Sequence, residues 1–216
     1  MILDKNYHRL FVEGQSDAAV VNKLVLRRLG LDLAQNRIVS TGDRDEGGFE
    51  WVRGQLEAAL VTKKLVRFGA VVDRDAVSGK PDRWLSMRSL LSSHDVDIDA
   101  PPAAGMLATT AWGARIGLWV MPDNVSAGDL ETFLESLVPT ESRDWAWAGE
   151  ATTRAKTEGA EFRDVHARKA RLNTWLAWRD PPGNPYGTAI EATQLRDSSP
   201  VVDTFVDWFK RLFIDP

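Results

Sequence analysis

At 216 residues, 44% hydrophobic and 27% charged, the chain is long enough to bury a substantial core, and its composition excludes a disordered or fibrous protein. Its net charge of −4 excludes a protein that binds nucleic acid by bulk positive charge, so any such contact rests on local basic clusters or on metal ions. The lack of cysteine excludes disulfides and thiolate zinc sites, and His8, His94 and His166 have no metal-ligand spacing.

Residues 9–12 read as a short strand ending on Glu13, with Gly14 permitting a tight turn and Asp17, or Ser16, placed to cap the next helix. Val20, Val21, Leu24, Val25 and Leu29 give residues 17–29 a helical stripe, which Gly30 stops. Residues 37–40 make a second strand, 41–48 a polar, glycine-rich loop, and 51–64 a helix. The run 68–73 is a strand that leads straight into Asp73-Arg74-Asp75. A helix over 81–92 has Pro81 in its first turn, and 95–104, with Pro101-Pro102, is a break. Residues 116–121 form the next strand, which runs through Pro122-Asp123-Asn124 to a helix start at Gly128-Asp129-Leu130-Glu131. Residues 144–147 and 149–159 fit no single pattern. Beyond them lie a helix over 161–178, a loop over 180–185, and a terminal amphipathic helix over 200–214.

Strands alternating with helices predict an α/β fold with a mostly parallel sheet of about four strands flanked by helices. Residues 1–140 form this core and 141–216 a mainly helical extension packed on it. The nine tryptophans fill the core or stripe helices, with base stacking or a partner surface as the alternative for a few. The chain start lacks the basic and apolar stretches of a signal peptide, and no apolar run reaches the roughly 18–20 residues of a membrane span. A cytoplasmic protein without membrane contact is expected.

Asp73 and Asp75 are spaced i, i+2, so a strand reaching both would carry them on one face. Two close carboxylates repel, and burying them uncompensated is costly. A hard divalent cation resolves the conflict and also binds phosphate. Glu13 and Asp17, at the end of the first strand, answer this pair from sixty residues away.

Together these segments resemble the Toprim domain of topoisomerases, primases and OLD-family nucleases, which carries a glutamate after its first strand and an Asp-x-Asp after a later one. Glu13, Asp73 and Asp75 match those places, and Glu13 with Asp17 matches the E-x-x-x-D of the OLD branch. The chain also resembles, over nearly its whole length, small stand-alone Toprim-like bacterial proteins of unassigned role. Their hallmark is a strand followed by Met-Pro-Asp-Asn and Gly-x-Leu-Glu, here Met121-Pro122-Asp123-Asn124 and Gly128-Asp129-Leu130-Glu131. The resemblance implies a Toprim-like (Rossmann-like) core in which Glu13, Asp73 and Asp75 hold a principal Mg²⁺ or Mn²⁺. It leaves room for a second ion, which Asp17 and Glu131 would complete.

Lys169 fills a gap in the stripe Phe162, Val165, Leu172 and Leu176. It either snorkels at a helix edge or points toward the carboxylates and a bound phosphate. OLD-family nucleases use a lysine placed similarly in the order, which implies that Lys169 acts with Glu13 as a catalytic residue. From 154 to 179, seven basic residues stand against three acidic ones, a surface that could meet a phosphate backbone or form a solvated helix face.

The expected function is a divalent-metal-dependent phosphodiester hydrolase, a nuclease acting on DNA or RNA. Strand passage needs a tyrosine nucleophile on a large domain, and only Tyr7 and Tyr186 are present. The alternative is a non-catalytic module that binds nucleic acid or a nucleotide within a larger complex, such as an antiviral defence system or a toxin, with a protein partner or a second copy. A third reading is nucleotide or polyphosphate chemistry. The metal-dependent reading requires Glu13 to lie within coordinating reach of Asp73 and Asp75, with a cation rather than arginine balancing them.

Overall fold

The computed structural model describes residues 3–43, 47–75, 82–96 and 102–216. Strands β1 (His8–Val12), β2 (Val39–Ser40), β3 (Arg67–Asp73), β4 (Met106–Thr109) and β5 (Arg115–Met121) form one sheet in the order β2-β1-β3-β5-β4. All pairs are parallel except β4 with β5, which is antiparallel at the edge. The helices are α1 (Gln15–Leu29), α2 (Phe49–Thr62), α3 (Arg83–Ser92), α4 (Leu130–Glu135), α5 (Asp144–Thr157), α6 (Ala167–Ala177), α7 (Tyr186–Glu191) and α8 (Pro200–Phe213). This is the expected α/β fold with a mostly parallel sheet between helices.

Strand alternation sorts the core into two layers. Phe11, Phe68, Ala70, Val72, Ile116, Leu118 and Val120 face α2 and α3. Leu10, Val12, Val71, Trp119 and Met121 face the other way, against α1, α4 and the helices of the C-terminal third. A sheet buried on both faces needs near-continuous apolar strands, which β3 and β5 are. The amphipathic α8 presses on the middle of the sheet. A Cβ on Gly69 would meet Gly117 O at 2.4 Å and Leu212 Cδ2 at 3.0 Å, and one on Gly117 would meet Leu212 Cδ2 at 2.7 Å. Both positions therefore need a bare backbone.

Several local expectations change. Gly14, not Asp17 or Ser16, is the N-cap residue of α1, and Asp17 lies inside the first turn, where its carboxylate turns back to the backbone N–H groups of Gly14 and of Asp17 itself. The helix expected over 161–178 is shorter. The chain leaves α5 through Gly159 (φ 102°), passes an extended Arg163 and a single 3₁₀ turn at Asp164–His166, and enters α6 at Ala167. Phe162 and Val165 are therefore not on the buried stripe, and Leu172, Trp175 and Leu176 carry it. The stretches 144–147 and 149–159, which fit no single pattern, belong to one helix, α5, as far as Thr157. Helix α3 starts at Arg83, where Asp82 accepts the Trp84 N–H at 3.0 Å. Pro81, residues 44–46 of the expected loop and residues 97–101 of the expected break lie outside the described residues. Among the described residues no helix is long and apolar enough to cross a membrane.

Candidate functional site

Parallel pairing aligns the strand ends. Val12 stands beside Val71, and Asp73 beside Met121, so the loops after β1, β3 and β5 leave from one carboxyl edge. The Asp73 N–H donates to Glu13 Oε1 at 2.9 Å, joining the first two loops. The third is tied to the end of β3 by one backbone–backbone bond and one backbone–carboxylate bond. The Asp75 N–H donates to Gly128 O at 2.9 Å, and the Leu130 N–H donates to Asp73 Oδ1 at 2.9 Å. Gly128 sits at φ 154°, where a Cβ would lie 2.8 Å from Thr132 Oγ1, so the turn admits only glycine without a shift. Asp129 then caps α4 through a reciprocal box with Thr132, leaving Glu131 in the first turn facing the edge. The preceding Met121-Pro122-Asp123-Asn124 is a folding device. Buried Asn124, at φ 67°, accepts the Val120 N–H at 2.8 Å and closes the turn.

Asp73 and Asp75 do not share a strand face. β3 ends at Asp73, and Asp75 adopts a left-handed φ of 57°, a conformation aspartate tolerates better than most residues. Arg83 occupies the space that opens. Its Nη1 donates to both Glu13 oxygens, at 2.8 and 2.9 Å, and its Nη2 pairs with Asp75 Oδ2 at 2.9 Å. Register explains the separation of the acids. Continuing β1 past Val12 puts Glu13 beside Val72, on the α3 layer, whereas Asp73 follows Val71 on the opposite layer. The two carboxylates meet at the lip from opposite sides. Among the described residues no three acidic or imidazole groups converge closely enough to hold a metal ion as they stand.

Electrostatic crowding remains. Burial, then Glu13 and Asp17, push the Asp73 carboxyl up to about 9. Burial and Glu13 push Asp17 up to about 7. Burial raises Glu13 as well, against the pull of Arg83. Glu131 accepts a long bond from the Tyr186 hydroxyl at 3.4 Å and pairs with Lys169 Nζ at 3.5 Å. Burial and Glu131 together raise the Tyr186 phenol above its ordinary value.

Glu13, Asp73, Glu131 and Lys169 line two adjoining recesses. One, of about 640 Å³, extends past Asp17 and Gly14 to Gly42, Asp43, Gly47 and Gly48. The other, of about 360 Å³, extends past Asp75 and Arg83 to Arg163 and His166. A larger hollow of about 990 Å³, between α5 and α6, holds none of the predicted site residues. All five predicted carboxylates and Lys169 thus face the same edge. Lys169 is half-exposed at the mouth rather than on a buried stripe.

Residues 7–214 match the family described as Protein of unknown function (DUF3226). The chain belongs to this family. No curated protein and no solved structure gives a significant match.

In this DUF3226 chain the basic surplus of 154–179 is divided among several tasks. Arg154 pairs with Glu158 and Lys156 with Asp164 along the surface. Arg171 stacks on Trp145 at 3.8 Å, and Arg179 pairs with Asp144. Arg163 and Lys169 remain at the recess, with Arg163 Nη2 3.1 Å from His166 Nε2. Of the groups at the edge, Arg163 was counted in the basic segment, whereas Arg83 escaped the sequence reading and His166 and Tyr186 were given no place at the acids. Each is a lone polar residue in an unremarkable local pattern, joined to the acids only through tertiary contact.

Proposed function

We propose that this edge is the site of a divalent-metal-dependent phosphodiester hydrolase, a Toprim-like nuclease that acts on DNA or RNA in the cytoplasm. One observation carries the reading. Glu13, Asp17, Asp73 and Glu131, from three separate stretches of chain, line a single recess with Lys169 at the carboxyl edge of a parallel sheet. Ligands of open α/β sheets bind at that edge.

The donor set is entirely carboxylate, which suits Mg²⁺ or Mn²⁺. Glu13, Asp73 and Asp75 would hold a principal ion and Asp17 and Glu131 a second, supplying a more acidic bound water and charge neutralisation at phosphate. The present arrangement does not meet the requirement set for this reading, because Arg83 rather than a cation balances Glu13 and Asp75, so the reading needs Arg83 to be displaced. The remaining roles would fall to side chains that line the same two recesses. The Lys169 ammonium stands where it can offset charge developing on a phosphoryl group. Arg163 and His166 at the second recess can donate to non-bridging oxygens. The division of the basic segment favours a short stretch of phosphate backbone over a long duplex groove.

The test is incubation of the protein with plasmid, single-stranded DNA and RNA in Mn²⁺. Cutting by the wild type that is lost in Asp73→Ala supports the reading. No cutting, or equal cutting by the variant, removes it. Arg83 favours a second reading, because a guanidinium that cross-links the acids could make a non-catalytic nucleic-acid- or nucleotide-binding subunit of a larger complex. That reading predicts salt-dependent nucleic-acid affinity without turnover.

A further inference from the structure

We infer that Arg83 and a divalent cation compete for the same carboxylates, so that Arg83 is the resident counter-ion of the site and cation entry is an exchange. The inference rests on the metal-dependent reading above.

Arg83 reaches Glu13 and Asp75 at once, and those side chains are only 12% and 8% exposed. Acids this buried require a positive partner, and the guanidinium supplies one in forked geometry. A divalent ion ligated by either acid would stand next to that guanidinium, and like charges at such range repel strongly in a partly desolvated site. Ion and guanidinium therefore exclude each other.

The surroundings fit an exchange rather than a fixed structural bridge. The backbone of Arg83 is pinned, because its N–H donates to Arg74 O at 3.2 Å and the neighbouring Asp82 is held by Arg74 Nη2 at 2.9 Å. Its side chain lies along the wall of the smaller recess, 23% exposed, with the guanidinium carbon 5.0 Å from the Phe49 ring. The same recess continues to Arg163, His166 and Lys169. A guanidinium released from the acids thus has space on the side where the other cations stand, and would move one positive charge from the carboxylates toward a phosphate. Asp17 and Asp73 form no ion pair among the described residues, so they offer an incoming ion a foothold before Arg83 leaves.

The test is Mn²⁺ binding to metal-free protein without substrate, followed by the electron paramagnetic resonance of free Mn²⁺. Arg83→Gln removes the charge while keeping an amide donor, and should bind Mn²⁺ at least tenfold more tightly than wild type. Arg83→Lys keeps the charge but cannot bridge both acids, and should show a smaller gain. It serves as the decisive variant should Arg83→Gln fail to fold by circular dichroism. Wild-type binding with equal or weaker binding by the folded Arg83 variants overturns the competition and leaves the hydrolase reading standing. No Mn²⁺ binding by wild type or variants overturns both.

Discussion

Replacing Asp73 with asparagine should stabilise the metal-free protein at pH 8 and much less at pH 5. The Asp73 carboxyl is pushed from 3.8 to about 9 by burial, then by Glu13 and Asp17. Between those values the folded protein keeps a proton that the unfolded chain has released, so stability falls as pH rises through the window. Each pH unit of that window is worth about 1.4 kcal/mol, so a lone carboxyl at pH 8 would cost up to about 6 kcal/mol. Asp73 keeps a partly exposed edge, and its proton is shared with crowded neighbours. The net gain expected for Asp73→Asn is therefore about 1–3 kcal/mol. Asparagine retains an oxygen for the Leu130 N–H, so the loop contact survives. For a chain of this size the gain corresponds to a rise in Tm of about 3–10 °C. Thermal melts in EDTA at pH 8 and pH 5 measure it directly. Mn²⁺ should then reverse the order at pH 8, because only the wild type keeps the full donor set. A variant that melts at or below wild type at pH 8 in EDTA, or whose offset is the same at both pH values, refutes the reasoning.

Lys169→Met should lower phosphodiester turnover by about ten- to a hundredfold, because the lost ammonium is half-exposed and only partly desolvated, while Mn²⁺ affinity stays near wild type. Unchanged rates in a cleavage assay return Lys169 to a surface ion pair with Glu131. Gly69→Ala should destabilise the protein by about 1–3 kcal/mol or more, since the new Cβ meets the immovable Gly117 carbonyl oxygen. A urea midpoint equal to that of wild type would contradict the close approach of α8 to the sheet.

The sheet was legible because its strands are buried on both faces and read as uninterrupted apolar runs bounded by turns. The acids at the strand ends were legible for the same reason. A strand that stops on Glu13 or Asp73 announces where its carboxylate emerges. Shorter pieces carried too little pattern. β4 has four residues and α7 six, below the length at which period 2 and period 3.6 separate. The stretch 161–178 misled because Phe162, Val165, Leu172 and Leu176 satisfy helical spacing, yet the chain turns at Gly159 and Arg163 and spends the first two on a surface turn.

Arg83 was invisible for a different reason, and the reason bears on how the site works. Its partners stand 70 and 8 residues away, and nothing in its own helix marks it as special. The need for it arises only from strand register. Placing Val12 beside Val71 sends Glu13 and Asp73 to opposite layers, so the acids reach one lip without meeting head-on. A single small ion cannot yet close that gap, whereas the long fork of an arginine rooted in the α3 layer spans Glu13 and Asp75 on its own side. Asp73 and Asp17, on the far side, form no ion pair among the described residues, and theirs are the carboxyls pushed furthest up. The fold thus balances charge on one side of the lip and leaves it unbalanced on the other. On the metal-dependent reading proposed above, a cation would engage the unbalanced side first, and displacement of Arg83 would set how far it proceeds.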